Sequence, residues 1–197
     1  MARKLYEVGR GVSGWIVANL LGMAAVGALV FVLQFLKSTP GILMASLLVG
    51  MPIGLAQWIA LRRVASISKL WALTTSTGLL LGLVFLNSPI LVQLWESLDG
   101  RSVLSLIPGY VVTGFFVGLA QWLLLRHRFI KSWVWLLGSA AGLGLGSGLV
   151  LISDLIHQAW LVSIILVALV YAVVTGFVIL WWQASRRKTV RNLVNAA

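Results

Sequence analysis

Residues 50–62 read GMPIGLAQWIALR, and residues 114–126 read GFFVGLAQWLLLR. Both stretches fit the pattern GxxxGLAQWxxLR. The longer segments around them, 50–84 and 114–148, align without a gap at an offset of 64, with 15 of 35 positions identical. An internal repeat of this length indicates that one structural unit is used more than once.

A third copy is weaker. Residues 173–177 read VVTGF, as do residues 111–115, and this alignment places Gln183 where Gln121 stands. The helices that precede the three copies share a tryptophan followed seven residues later by a glycine, in the pairs Trp15 and Gly22, Trp71 and Gly78, and Trp135 and Gly142. The repeated unit is therefore predicted to be a helical hairpin, present three times.

The composition predicts a membrane protein. Hydrophobic residues make up 60% of the 197 residues and charged residues only 10%, whereas soluble domains are about a quarter charged. Six apolar runs approach or exceed the roughly 20 residues that span a bilayer, at about 14–36, 41–61, 70–87, 104–125, 133–153 and 159–183. Backbone amides in hydrocarbon must pair internally, so these runs are predicted to be helices.

The predicted fold is thus an all-α integral membrane protein with six transmembrane helices. It forms one domain over residues 1–197, and its hairpins cover about 14–61, 70–125 and 133–183. All three hairpins start and end on the same side, so they are expected to be related by an axis along the membrane normal.

The basic residues predict the orientation. Of the 15 Lys and Arg residues, 13 fall on one predicted side and only Lys37 and Arg101 on the other. By the positive-inside rule both termini are cytoplasmic. The net charge of +11 then follows from topology, and we expect no nucleic-acid partner. The expected location is a bacterial cytoplasmic (inner) or thylakoid membrane.

The longest outer connection has a helical pattern of its own. Ser88 and Pro89 fit an N-cap and a first helical residue, and apolar residues recur at helical spacing up to about residue 99. A short amphipathic helix over about 89–99, lying in the outer interface, is predicted. An ordinary loop with some apolar residues is the alternative.

The glycines of the repeat are predicted to pack helices together. Small residues spaced by four let two helix backbones approach closely in lipid. The candidate packing positions are Gly50, Gly54, Gly78, Gly82, Gly114, Gly118, Gly142 and Gly146.

The repeated glutamines are the candidate polar contacts. Gln57 and Gln121 share a helix face with the glycines, and Gln183 completes the set in the third copy. A buried amide needs a hydrogen-bonding partner. That partner is either a neighbouring helix or a bound ligand, including weak axial ligation of a chlorophyll-like magnesium. Pseudo-threefold symmetry would arrange the three amides as a polar ring.

The tryptophans and arginines of the motif are predicted to be interfacial anchors. Trp58 precedes Arg62 by one helical turn, and Trp122 precedes Arg126 in the same way. Aromatic rings and basic side chains meet lipid headgroups at this depth. A specific lipid or pigment contact is the alternative.

No catalytic or metal site is predicted. The chain has no cysteine, its two histidines, His127 and His157, fall on opposite predicted membrane faces, and no carboxylate lies in the middle of a span. A proton-coupled transporter of the usual kind is therefore not expected.

The GxxxGLAQWxxLR repeats with tryptophan-led helices resemble a group of small uncharacterised multi-pass membrane proteins common in photosynthetic bacteria. The resemblance covers about residues 40–150 and implies a membrane location, but no activity. The chain also looks superficially like the substrate-capturing subunits of vitamin transporters, although its triplication departs from their pattern.

The sequence is compatible with two functions. The first is a non-enzymatic integral subunit or assembly factor that packs against lipids and other integral membrane proteins. The second is a small-solute transporter or a ligand-capturing transporter component, with a central site on the pseudo-threefold axis. The sequence requires no cofactor, and lipid, carotenoid and chlorophyll are left open as ligands.

Overall fold

A computed structural model describes residues 11–25, 39–65, 67–86, 88–89, 93, 106–129, 131–155 and 160–196. These residues form six helices and no strand, which confirms the all-α prediction for this part of the chain. The helices are α1 (Gly11–Ala25), α2 (Thr39–Ala65), α3 (Leu70–Leu86), α4 (Leu106–Leu125), α5 (Trp133–Leu155) and α6 (Trp160–Ala196).

The short connection from α2 to α3 is held by local hydrogen bonds. The backbone N–H of Leu70 donates to Ser68 Oγ at 3.3 Å, so Ser68 caps the start of α3. The indole of Trp58, on α2, donates to the carbonyl oxygen of Ile67 at 3.0 Å. These contacts turn the chain tightly, so α3 returns beside α2.

Neighbouring helices are antiparallel and approach at glycines. A Cβ atom built on Gly50 would lie 2.4 Å from Ser76 Cα, and one on Gly54 would lie 2.5 Å from Ala72 Cα. Along this interface the residue numbers rise in α2 as they fall in α3, so the two helices are antiparallel. Each glycine leaves the space that the backbone of the next helix occupies.

The first and last helices also contact each other, so the bundle is closed. Trp15 on α1 donates its indole N–H to Thr175 on α6 at 3.0 Å. A Cβ on Gly176 would lie 3.5 Å from Val12 and 3.6 Å from Trp15. The six helices therefore form a ring in which α6 packs against α1.

Two of the described helical segments are long and apolar enough to cross a membrane, Ile107–Leu125 and Ile165–Ser185. The apolar stretches described in the other four are shorter, at Gly11–Ala25, Leu48–Arg62, Leu70–Leu86 and Trp133–Leu149. The outer amphipathic helix predicted over about 89–99 lies outside the described residues, apart from Pro89 and Gln93, which are both helical.

Candidate functional site: a buried polar belt and an axial cavity

Three tryptophans meet on the central axis of the bundle. Trp15, Trp71 and Trp135 begin the inward faces of α1, α3 and α5 and are fully buried. The ring of Trp135 contacts those of the other two edge to face, with centroids 5.6 Å and 5.5 Å apart and interplanar angles of 70°. This is a favourable geometry for aromatic pairs.

The end of the bundle where α1, α3 and α5 begin is called here the tryptophan end. Trp182 of α6 stacks on Trp135 with centroids 5.6 Å apart, and Phe129 stacks on Trp182 at 4.4 Å. Large aromatic side chains therefore fill the axis of the bundle at this end.

Gln57, on α2, forms hydrogen bonds with three other helices. Its Nε2 donates to Asn19 Oδ1 on α1 at 2.8 Å, and its Oε1 accepts the indole N–H of Trp71 on α3 at 3.0 Å. The same Oε1 also lies 3.3 Å from the Nε2 of Gln121. With the side chain only 1% exposed, every one of these bonds is made away from water.

Gln121 repeats this arrangement one hairpin further on. Its Nε2 donates to Thr75 Oγ1 at 2.8 Å, and its Oε1 accepts the indole N–H of Trp135 at 2.8 Å. Each glutamine thus donates to a polar side chain of its own hairpin and accepts from the tryptophan of the next. The predicted interhelical contacts of Gln57 and Gln121 are present.

Thr175 takes the third equivalent position. Gln57, Gln121 and Thr175, with the side chains hydrogen-bonded to them, form the polar belt. Thr175 accepts the indole N–H of Trp15 at 3.0 Å and donates to the carbonyl oxygen of Tyr171 at 2.6 Å. Thr175 lies 54 residues after Gln121, whereas Gln121 lies 64 after Gln57. The belt therefore uses a different alignment of the third copy from the one that the VVTGF match indicates.

Glycine contacts within the hairpins give the same alignment independently. The glycines seven residues after each central tryptophan, Gly22, Gly78 and Gly142, face Ile53, Val117 and Tyr171 respectively. These facing residues are again 64 and 54 apart. Two separate sets of contacts therefore agree on the register of α6.

The prediction that Gln183 completes the ring is wrong. Gln183 lies eight residues beyond Thr175, which is about 12 Å along a helix and about 80° around it. Its buried Oε1 has no hydrogen-bonding partner, and neither has Nε1 of the adjacent Trp182. The weaker third copy misled the alignment because α6 carries threonine in the glutamine position.

Sequence reasoning also missed the buried polar residue that follows each central tryptophan, although a signal was available. Asn19, Thr75 and Ser139 each lie four residues after a central tryptophan and are at most 1% exposed. Ser139 lies 3.5 Å from the hydroxyl of Tyr171 on α6. The repeated unit is therefore a tryptophan followed by a small polar residue and a glycine, on one helix face.

All eight predicted packing glycines face a neighbouring helix closely. Built Cβ atoms would lie between 2.4 Å and 3.1 Å from the nearest atom of another helix, at Gly50, Gly54, Gly78, Gly82, Gly114, Gly118, Gly142 and Gly146. In α6 the matching positions are alanines, Ala168 and Ala172, which are buried. Helix packing therefore accounts for these glycines.

The proposed anchors adopt compact pairs at the tryptophan end. The guanidinium carbon of Arg62 lies 4.9 Å from the centroid of the Trp58 ring, and that of Arg126 lies 5.9 Å from the Trp122 ring. Both distances are within the range of cation–π contacts. The two arginines are exposed, so these pairs stand at the surface.

A cavity of about 150 Å³ lies on the other side of the belt from the tryptophans. Its floor contains Asn19, Gln57, Thr75 and Tyr171, and all six helices contribute to its lining. The cavity therefore sits on the pseudo-threefold axis, directly above the hydrogen-bonded ring.

Among the described residues, no group of three or more His, Cys, Asp or Glu could hold a metal ion. Comparison with protein-family models, with curated proteins and with solved structures finds no match to this chain. The resemblance to multi-pass proteins of photosynthetic bacteria stays a prediction from the sequence motifs.

Proposed function

We propose that this protein is a non-enzymatic integral membrane protein that crosses the membrane six times with both termini in the cytoplasm. The distribution of its side chains supports this. Large apolar side chains are exposed on the outer face of each helix, among them Leu21 (64%), Ile59 (45%), Leu81 (45%), Phe115 (41%), Leu145 (61%) and Phe177 (65%). The polar side chains of the belt point inward and pair with one another. Lipid is the solvent that suits such a surface.

The orientation is tested by labelling. A reporter fused after Lys188 should be active in the cytoplasm, and a cysteine placed at Glu96 should react with an impermeant reagent from outside. The physical reason is the distribution of 13 basic residues to one side and two to the other. A reporter after Lys188 that is active only on the outer side would contradict the topology.

Within the membrane, we propose that the protein is a subunit or assembly factor that packs against other integral membrane proteins. The observation that carries this proposal is an aromatic cluster on the outer face of α3 and α4. Phe116 lies 5.6 Å from Phe85 and 5.9 Å from Phe115, centroid to centroid. Phe85 and Phe115 are each 41% exposed, and exposed aromatic residues are typical of protein interfaces.

The belt supports a structural role for the interior. Gln57 Oε1 already accepts two hydrogen bonds, so both of its lone pairs are used. A magnesium ligand at this atom would have to break one of them. The buried amides are therefore better suited to holding the helices in one arrangement, which leaves the outer surface to recognise partners.

The test compares two outer faces. After gentle detergent extraction, native mass spectrometry should detect another membrane protein bound to the chain in stoichiometric amount. Phe85→Leu combined with Phe115→Leu should reduce that amount, whereas Phe177→Leu, at a more exposed position on another helix, should not. Purification of the unaltered chain with lipid alone, or equal retention by both variants, would contradict the proposal.

A ligand-holding component is the second candidate, and the axial cavity is the observation that favours it. The tryptophan end closes the axis, which suits retention of a ligand better than its passage across the membrane. The volume of about 150 Å³ is well below the roughly 300–1,000 Å³ of pockets that hold drug-sized ligands. A whole carotenoid or chlorophyll therefore does not fit inside, and an absorption spectrum of the purified protein would detect one bound on the outer surface.

A further inference from the structure

The axial cavity is built in layers that follow the pseudo-threefold axis. One layer comprises Met23, Leu79 and Leu143, each eight residues after a central tryptophan. The lining extends along α2 from Gln57 to Val49, eight residues or about 12 Å. The cavity therefore has a polar floor at the belt and apolar walls beyond it.

The lining carries no charged side chain. All fourteen lining residues are neutral, and half of them are Val, Ile, Leu or Ala. Moving a charged group into such surroundings is strongly unfavourable unless it is paired. The occupant must therefore be neutral and largely apolar. At about 150 Å³ the space matches a single aromatic ring, since an apolar cavity of about this volume holds benzene.

Tyr171 breaks the symmetry of the lining. Its counterparts in the other two hairpins are Ile53 and Val117, which are purely apolar. The hydroxyl of Tyr171 has two side-chain neighbours at the floor, Ser139 at 3.5 Å and Gln57. The hydroxyl is therefore a buried polar group at the floor of the cavity, and its hydrogen bond to Ser139 is long and weak.

We infer that the axial cavity binds a neutral, ring-sized molecule carrying one hydrogen-bond-accepting oxygen, as in a phenol, a ketone or a quinone ring. Tyr171 donates to that oxygen, and the aliphatic walls contact the ring. This inference names the ligand class for the ligand-holding candidate and rests on it. It does not depend on the proposed partner face at Phe85 and Phe115.

The end of a lipid acyl chain is the competing occupant. A saturated chain fills apolar space but has no oxygen at its tip, so it would leave the Tyr171 hydroxyl without a better partner. A ligand oxygen at this point would add a shorter hydrogen bond than the one to Ser139. The polar floor therefore favours a ligand that has an acceptor at one end, and the comparison below separates the two occupants.

The test uses the full chain purified in detergent and two probes of nearly equal size. p-Cresol has a hydroxyl oxygen, and toluene has none. A ligand that binds the folded state raises the unfolding temperature. We expect p-cresol to bind the unaltered chain roughly 2- to 12-fold more tightly than toluene, which is the contribution of one hydrogen bond. In Tyr171→Phe the two probes should bind equally well.

The Tyr171→Phe variant also controls for partition of the probes into detergent, because both proteins are measured at the same probe concentration in the same micelles. Ala168→Leu places a larger side chain in the lining and should abolish binding of both probes. If that variant does not fold, Leu143→Phe serves the same purpose.

Equal binding of both probes to the unaltered chain would overturn the inference, because it would show an apolar cavity without a polar anchor. Failure of p-cresol to bind, or a preference for p-cresol that Tyr171→Phe leaves unchanged, would overturn it as well. Each of these measurements is made on the isolated chain, so its outcome is distinct from that of the partner experiment.

Discussion

The replacement Gln121→Leu removes one of the two glutamines of the belt. Its amide makes three hydrogen bonds, to Thr75, Gln57 and Trp135. Hydrogen bonds between membrane helices contribute about 0.6 kcal/mol each on average, which gives about 2 kcal/mol for the three. The indole N–H of Trp135 would also lose its partner in a fully buried site, which adds about 1 kcal/mol. We therefore expect the free energy of unfolding to fall by about 3 kcal/mol.

Gln183→Leu is the matched control. The VVTGF alignment makes Gln183 equivalent to Gln121, but its buried Oε1 has no hydrogen-bonding partner. Removing a side chain whose amide oxygen makes no hydrogen bond should change the free energy of unfolding by less than about 0.5 kcal/mol or stabilise the protein. Equilibrium unfolding by SDS titration in mixed micelles measures both variants. Equal losses, or a larger loss at Gln183, would refute the assignment of the belt.

Two further pairs of variants test the register of α6 by thermal unfolding in one detergent. Gly114→Ala should destabilise the protein by about 1–3 kcal/mol, because the new Cβ would lie 2.4 Å from a backbone oxygen. Gly176→Ala should be neutral or stabilising by up to about 1 kcal/mol, because the nearest neighbour of its new Cβ is 3.5 Å away. Equal effects of the two variants would count against the register. Thr175→Val should lower the free energy of unfolding by about 0.6–1.7 kcal/mol, because Trp15 loses its acceptor. Thr113→Val should lower it by less than about 0.5 kcal/mol, because the Thr113 hydroxyl donates to a carbonyl oxygen of its own helix. The reverse order would contradict the belt.

Much of the fold could be predicted from the sequence because the hairpin repeat contains residue types that have few possible roles inside a helical bundle. A glycine such as Gly54 has no side chain to place, so its spacing indicates where another backbone approaches. A buried glutamine such as Gln57 requires partners, so its repetition indicates a polar contact between helices. Both signals are local, and both agree with the structure.

The third position of the belt could not be predicted in the same way. Thr175 does the work of a glutamine with a shorter side chain, and alanines replace the packing glycines in α6. Residues 173–177 are identical to residues 111–115, whereas Thr175 and Gln121 are equivalent in the belt but differ in residue type. Sequence identity therefore favours the wrong alignment. The register of α6 depends on contacts with α1 and α5, which the sequence of α6 alone does not contain. The axial cavity likewise arises from all six helices together.

The most direct test of the closed, pseudo-threefold bundle is disulfide formation between α1 and α6 in native membranes. The chain has no cysteine of its own, so each engineered pair is the sole pair. In the register described here Val12 contacts Gly176, whereas the VVTGF alignment would place Ala184 beside Val12, about 12 Å further along the helix. Mild oxidation should cross-link Val12→Cys with Gly176→Cys and leave Val12→Cys with Ala184→Cys reduced. Cross-linking of the second pair in place of the first would contradict the belt, its third position at Thr175 and the closure of the ring.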